Sequence, residues 1–321
     1  MRRPEILPAF TKKEYLKVHF HLASKVATML GRKLEEDDWQ AVYCNAKEIP
    51  LTGWSNLNID ITHDGLGVEQ KMLCVRANKR IKEYCGTSLM HPSLTRSIRI
   101  PSTEDDATEV AQEILQQYAD LITQRTEMVE KSSGKKQTDM RVGWLLWQVT
   151  LKEFLYFEEE MLAPIPANYY AEWVESGGGL RKRSINLWVY EKDTGIKRYS
   201  ITTSAGAKIQ AYFEVPPPNH PHLYYFRVQG ERLKNSLIRI WVTKTTAICL
   251  QQMFGELETK KISEVVMNHC AKAKEVGDEL KAYDDSAVSF TITEEAYNIL
   301  QSTFESVSDE HLFQQLINSA V

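Results

Sequence analysis

The residues with most chemistry to offer lie in one short stretch, Asp60-Ile61-Thr62-His63-Asp64-Gly65-Leu66-Gly67-Val68-Glu69-Gln70-Lys71. Leu57-Asn58-Ile59-Asp60-Ile61 alternates with period two and reads as a strand. His63 to Gly67 is turn material and Val68 to Val75 a longer strand, so a β-hairpin is expected. Glu69 and Lys71 are two apart on a strand and project from one face. Setting Ile61 opposite Val68 places Asp60 opposite Glu69, with side chains about 5 Å apart, and brings Asn58 to Lys71. Two carboxylates and one ammonium then converge on one sheet face. Two anions so close repel each other unless a cation lies between them, and hard carboxylate oxygens suit magnesium. An adjacent lysine would position or deprotonate an attacking water. The chemistry expected of this group is metal-assisted hydrolysis of a phosphodiester.

Elements on either side must hold the hairpin. Thr11 to Gly31 carries apolar residues at helical spacing, with Thr11 and Glu14 forming a capping box and Gly31 a stop. A second short helix is expected over Glu35 to Ala46. After the hairpin come a basic helical stretch (Ala77 to Tyr84), a short strand (Ser97 to Ile100) and a helix from Glu104 to Glu130, closed by a loop at Ser132 to Lys136. Residues 142–162 are apolar nearly all round and read as a buried helix or subunit interface; Lys152 and Glu158-Glu159-Glu160 argue against a membrane span. From Ser184 to Leu250 β-branched and aromatic residues alternate, with a turn at Asp193-Thr194-Gly195 and a break at Pro216-Pro217-Pro218, which predicts a small antiparallel sheet. From Glu258 onward the chain reads as helical and polar. No internal repeat is evident.

Asp60 on one strand, then Glu69-Gln70-Lys71 on the next, with helices before and a helix after, resembles the PD-(D/E)xK nuclease superfamily, and most of all its type II restriction endonucleases. The resemblance covers about residues 11–131. Ile59 stands where that pattern often has Pro. The resemblance implies a restriction-endonuclease-like α/β (α+β) core with a mixed central sheet flanked by helices. It implies Asp60 and Glu69 as metal ligands, the Gln70 carbonyl as a further ligand, Lys71 as the water-activating residue and Mg2+ as cofactor. Asp64, before Gly65, is a rival first carboxylate that better suits shaping the turn. The acid-x-Lys pattern recurs at Glu258-Thr259-Lys260 and Glu279-Leu280-Lys281, but without an upstream strand bearing Asp.

Charge distribution points the same way. The chain has 321 residues and a net charge of −4, yet Val68 to Ile100 holds seven Lys/Arg (Lys71, Arg76, Lys79, Arg80, Lys82, Arg96, Arg99) against two Glu. Gly177 to Ser200 holds six (Arg181, Lys182, Arg183, Lys192, Lys197, Arg198) against Glu191 and Asp193. Local positive segments suit phosphate contacts, and Arg76, Lys79, Arg80, Arg96, Arg99, Arg181, Lys182 and Arg183 are the expected DNA-binding residues. Gly177-Gly178-Gly179 before Arg181 suggests a loop that orders on DNA; it lacks P-loop spacing.

The remaining features mostly exclude. Seven Trp, fourteen Tyr and ten Phe need burial and rule out general disorder. No apolar run reaches a membrane span, and the N-terminus has no signal-peptide pattern. The five cysteines are odd in number and never spaced CxxC, which suits reduced thiols in the cytoplasm. His19-x-His21 lies on two helix faces, His220-Pro221-His222 is a rigid loop, His63-Asp64 a turn or a substrate contact, and His91-Pro92-Ser93 has no nucleophile arrangement; GxSxG and Rossmann GxGxxG motifs are absent. The expected organisation is a nuclease core over 1–131, an interface helix and basic loop over 132–183, a β-rich DNA-recognition region over 184–257 and a helical part over 258–321. The expected function is magnesium-dependent cleavage of double-stranded DNA by a type II restriction enzyme, a homodimer because a symmetric site needs two cuts. A structure-directed repair or recombination nuclease and a non-catalytic DNA-binding protein are the alternatives.

Overall fold

The computed structural model describes residues 2–29, 32–51, 59–92, 98–99, 101–103, 105–176, 184–202, 208–271, 286–306 and 308–320. Two helices open the chain after a short strand, β1 (Ile6–Leu7): α1 (Lys12–Thr28) and α2 (Glu36–Lys47). The predicted capping box is present, with Thr11 N–H donating to the Glu14 carboxylate at 2.6 Å and Glu14 N–H to Thr11 Oγ1 at 3.2 Å. Both helices bury one face, through Val18, Leu22 and Val26 on α1 and Trp39, Val42 and Tyr43 on α2. That face covers one side of a six-stranded sheet.

The sheet runs β1-β6-β5-β3-β2, with β11 also on β6. Its members are β2 (Ile61–His63), β3 (Leu66–Val75), β5 (Asp139–Gln148), β6 (Glu153–Glu160) and β11 (Tyr224–Arg227). Only β3 and β5 are parallel. The connection between them supplies β4 (Ser88–Pro92) to a second sheet and then α3 (Ala107–Ser133), whose N-cap Asp106 accepts from Thr108 and Glu109 N–H. The class is therefore mixed α and β, with a mixed central sheet flanked by helices. The second sheet is antiparallel, β4-β10-β9-β8-β7, and adds β7 (Tyr169–Ser176), β8 (Ser184–Glu191), β9 (Lys197–Thr202) and β10 (Lys208–Glu214). It packs on α3 through Leu187, Val189, Ile201 and Ile209, and meets the central sheet where the Phe213 and Trp144 rings stack at 3.8 Å.

Residues 142–162 are not a helix. They form β5 and β6, joined by a turn at Gln148–Leu151 in which Leu151 takes φ +51°. Trp144, Leu146, Leu155 and Phe157 face the second sheet, while Leu145, Trp147, Phe154 and Tyr156 face α1 and α2. A strand buried on both sides reads as an unbroken apolar run, which periodicity alone cannot tell from a buried helix. The segment is core, not a subunit interface. Other expectations shift as well. Ala77 to Tyr84 is helical only as a short 3-10 turn at Ile81–Tyr84, Ile98 and Arg99 are irregular, and Ser97 and Ile100 lie outside the described residues. The strands beyond Ser184 do not form one small sheet: β11 completes the central sheet, so that sheet draws on residues on both sides of position 131.

The C-terminal part contains a repeat. β12 (Glu231–Arg232) and β13 (Leu237–Thr243) are followed by α4 (Lys244–Phe254) and α5 (Thr259–Cys270); β14 (Ala287–Thr293) is followed by α6 (Glu294–Phe304) and α7 (Asp309–Ser319). Each element of the second unit begins 50 residues after its counterpart: Leu237 and Ala287, Lys244 and Glu294, Thr259 and Asp309. The two strands pair antiparallel about the equivalent residues Ile240 and Phe290, so the units are related by a pseudo-two-fold axis. Thr243 and Thr293 cap their helices in the same way, accepting from Thr246 and Ala296 N–H. Leu250 and Leu300, Ile262 and Leu312, and Val266 and Leu316 fill equivalent places in one core.

The central sheet tolerates no extra bulk beside β3. A side chain on Gly143 would collide with the Tyr156 hydroxyl and the Gln70 amide. Gly143→Ala is expected to lower stability by ~2 kcal/mol, as overpacking typically does, read as a lower urea midpoint with an unchanged m-value.

Candidate functional site

The hairpin has the predicted register: Ile61 pairs with Val68, and His63 with Leu66. Asp64 and Gly65 make the turn, both at positive φ, and Asp64 is exposed and ion-paired to Lys135 at 2.7 Å. Asp64 therefore shapes the hairpin and takes no part in the cluster. Asp60 sits just before β2. Its backbone carbonyl accepts from Gln40 Nε2 at 2.6 Å, and its carboxylate accepts the Gln70 N–H at 2.6 Å. The side chain thus continues the ladder beyond the last backbone pair. A strand residue's N–H and C=O leave by the same edge, so the Gln70 carbonyl faces the Asp60 side too. Asn58 lies outside the described residues.

Glu69 and Lys71 project from the opposite face of β3 to Gln70, toward α3. Lys71 Nζ donates to Glu69 Oε1 at 2.7 Å, and Arg125 on α3 approaches Glu69 Oε2 at 3.6 Å. Asp60, Glu69 and Lys71 are all largely withdrawn from water. Burial, reinforced by the negative charge of Glu69 and opposed by Lys71 and the Gln70 N–H, pushes the Asp60 carboxyl up to about 6. Burial also works against the charge on Lys71, but Glu69 and Asp60 outweigh it and raise that pKa. Lys71 is therefore an ammonium at neutral pH. The sequence anticipated the meeting of these three groups, and their mutual influence is the electrostatic signature of two carboxylates sharing one site.

The Gln70 side chain serves the core. Its amide accepts from Trp39 Nε1 at 3.1 Å and donates to the Tyr156 hydroxyl at 3.1 Å. Tyr156 donates in turn to Glu158 at 2.8 Å, whose charge Arg141 balances at 2.9 Å.

Three further residues join the cluster from elements the hairpin does not contain. Among the described residues neither Arg125 Nε nor Glu69 Oε2 has a hydrogen-bond partner, although Arg125 Nη1 ion-pairs with that oxygen at 3.6 Å. Tyr118, also on α3, is partly buried within reach of the Lys71, Glu69 and Arg125 charges. His91 on β4 makes a 3.0 Å contact from Nε2 to the Met72 carbonyl and packs edge-on against Trp144. A carbonyl can only accept, so Nε2 carries the hydrogen and Nδ1 is a bare, buried acceptor. Burial, aided by Lys71, holds the His91 pKa down at about 4, so the ring is neutral. Nothing in local spacing pointed to these residues, because α3 and β4 fold over the hairpin from distant sequence.

Among the described residues no group of three or more His, Cys, Asp or Glu gathers as a metal site. A cation here would rely on Asp60, Glu69, the Gln70 carbonyl and solvent. That set fits magnesium, which keeps several waters and takes one or two carboxylates. The buried Glu69 Oε2, which lacks a hydrogen-bond partner among the described residues, and the raised Asp60 pKa are the observations that favour the fit.

The expected DNA contacts are less concentrated. Arg76, Lys79 and Arg80 are exposed at the end of β3, where their backbone shapes the turn: Gln148 Nε2 donates to the carbonyls of Arg76 and Lys79. Arg76 is five residues past Lys71, on the order of 16 Å along the strand. Arg99 is exposed, its backbone clamped by both ends of the Gln117 amide at 2.9 and 3.0 Å. Arg96, Arg181, Lys182 and Arg183 lie outside the described residues. All five cysteines are free thiols. No helix among the described residues is long and apolar enough to cross a membrane. Comparison of the chain with protein-family models, curated proteins and solved structures finds no match in any of the three.

The Asp60 shift has a consequence for stability. A carboxyl whose folded pKa lies above its unfolded value near 3.9 favours folding below that value and loses the benefit as pH rises through about 6. In chelator at pH 7.5, Asp60→Asn should stabilise the protein by an amount on the order of 2 kcal/mol. At pH 4 the gain should vanish. Urea melts at the two pH values check both halves of this expectation.

Proposed function

We propose that the protein is a metal-dependent endonuclease that hydrolyses phosphodiester bonds of duplex DNA, acting at specific sequences as type II restriction enzymes do. The observation that carries this reading is the cluster of Asp60, Glu69 and Lys71 on one hairpin, where burial and the charge of Glu69 raise the Asp60 pKa. Bound magnesium would supply charge neutralisation at the scissile phosphate and a water of lowered pKa.

The protein groups have separable tasks. Asp60 and Glu69 would hold the cation, Asp60 through the oxygen turned away from the Gln70 N–H. Lys71, being an ammonium, cannot take a proton. It would instead donate to a phosphate oxygen or orient the attacking water, so its role is positioning and electrostatic stabilisation. Arg125 neutralises Glu69 in the free protein and would be released toward the phosphate once the carboxylate turns to a cation. Cutting both strands at a symmetric sequence favours a homodimer, whose contact surface must lie elsewhere than the buried β5–β6 segment. An enzyme of this kind works in the cytoplasm, where the free thiols would remain reduced.

Plasmid and phage DNA incubated with the protein should be cut into discrete fragments with magnesium and remain intact without it. A smear would favour a structure-directed or non-specific nuclease, and intact DNA under both conditions would leave only DNA binding. Lys71→Ala should still bind DNA in calcium but cut at least ~100-fold more slowly. Near-normal cutting by that variant would move the active site away from the hairpin.

A further inference from the structure

The second sheet has two faces, and among the described residues another element packs on only one of them. Tyr169, Ala171, Leu187, Val189, Tyr199 and Ile201 pack toward α3. The alternate residues therefore point the other way, and among the described residues no helix or strand lies over them. That face is aromatic. Tyr170 and Tyr190 stack across β7 and β8 with centroids 5.3 Å apart and planes 17° from parallel, and Tyr170 keeps 39% of its surface exposed. Trp188 and Tyr212 flank Lys197, whose Nζ sits 3.2 Å from the Trp188 ring centre and 5.5 Å from that of Tyr212. Trp188, Tyr190 and Tyr212 are all only half-buried.

Cross-strand aromatic pairs stabilise sheets, but that alone does not account for a cation in their midst. Lys197 has no carboxylate partner within ion-pair distance among the described residues. The nearby acid, Glu172, is engaged by the Tyr190 hydroxyl at 2.6 Å. A ring face and an unpaired ammonium side by side complement a base and its phosphate. Sequence-tolerant stacking of bases on aromatic side chains beside a basic group is how proteins hold single strands.

We infer that the exposed face of Tyr170, Trp188, Tyr190, Lys197 and Tyr212 binds single-stranded DNA, bases stacking on the rings while Lys197 leaves Trp188 for a backbone phosphate. Its choice of DNA over RNA rests on the nuclease reading; its stacking and charge do not.

The test is fluorescence anisotropy of a labelled oligothymidylate of about twenty nucleotides, titrated with the full chain in chelator so that nothing is cut. The oligonucleotide should bind. Trp188→Ala and Tyr190→Ala should each weaken binding roughly five- to a hundredfold, and Trp188→Phe should retain most of it. Lys197→Gln should weaken binding and flatten the slope of log affinity against log salt by about 0.7. Glu172→Gln, which removes an anion and keeps an acceptor for Tyr190, should strengthen it. Thermal melts of Lys197→Gln and Trp188→Phe verify that the sheet is intact. No binding, or equal binding by all the variants, overturns the inference; so does self-association of the chain that Trp188→Ala abolishes, which would make the face a contact between copies. Preference for oligouridylate overturns the choice of DNA. Asp60→Ala is expected to bind the oligonucleotide like the parent, so loss of cleavage and loss of this surface are read separately.

Discussion

The buried amide of Gln70 fixes where everything else in the central sheet must go. β3 is covered on the α1–α2 side, and Gln70 enters that apolar layer only because Trp39 and Tyr156 satisfy its polar atoms. Buried amides without partners are costly, so this position accepts Gln70 and rejects its neighbours. Strand side chains alternate, so a slip of one residue would drive Glu69 and Lys71 among Trp39, Tyr43 and Phe154. The register that satisfies one amide is thus the register that turns an acid and a base toward α3.

The other face of β3 carries the charges. Glu69 lies between Lys71 and Arg125, while the Asp60 carboxylate accepts the Gln70 N–H and feels both the repulsion of Glu69 and the attraction of Lys71. Largely buried ion groups repay their desolvation poorly, and an apolar replacement of similar shape often does as well or better. The protein has ample apolar burial elsewhere, in the core under α1 and α2 and in the paired βαα units. A structure that keeps two carboxylates, an ammonium and a guanidinium largely withdrawn from water carries a local cost, and such costs are often found where chemistry is done. His91 stays neutral, so Lys71 and Arg125 are the cations that face Asp60 and Glu69.

How much of this was legible follows from how local each feature is. The hairpin was readable to its register because the Asp64-Gly65 turn and the alternation of Ile61 and Val68 are contained within a dozen residues. The α1 cap was readable for the same reason. The β5–β6 pair was not, since both faces of β5 are buried and the turn at Leu151 uses no glycine, proline or asparagine. The C-terminal repeat is not legible in the sequence because its units share size and polarity at core positions but few identities, Thr243 with Thr293, Leu250 with Leu300 and Phe254 with Phe304 among them. Arg125, Tyr118 and His91 are brought to the site by α3 and β4, and no local spacing announces an encounter that the crossover between two parallel strands creates.

The second sheet shows how one strand can serve two surfaces. His91 on β4 turns inward to the Met72 carbonyl, while Met90, one residue earlier, pairs with Tyr212 and is 38% exposed on the aromatic face. On β8, Leu187 and Val189 support the helix that carries Arg125, while Trp188 and Tyr190 point away from it. The layer between the charge cluster and the aromatic face is therefore one sheet thick, close-packed by Ile201, Ile209 and Phe213. Such interiors transmit displacement instead of absorbing it. The alternation that separates the two surfaces also seats them on the same strands, with Leu187 and Trp188 adjacent on β8 and Met90 and His91 adjacent on β4.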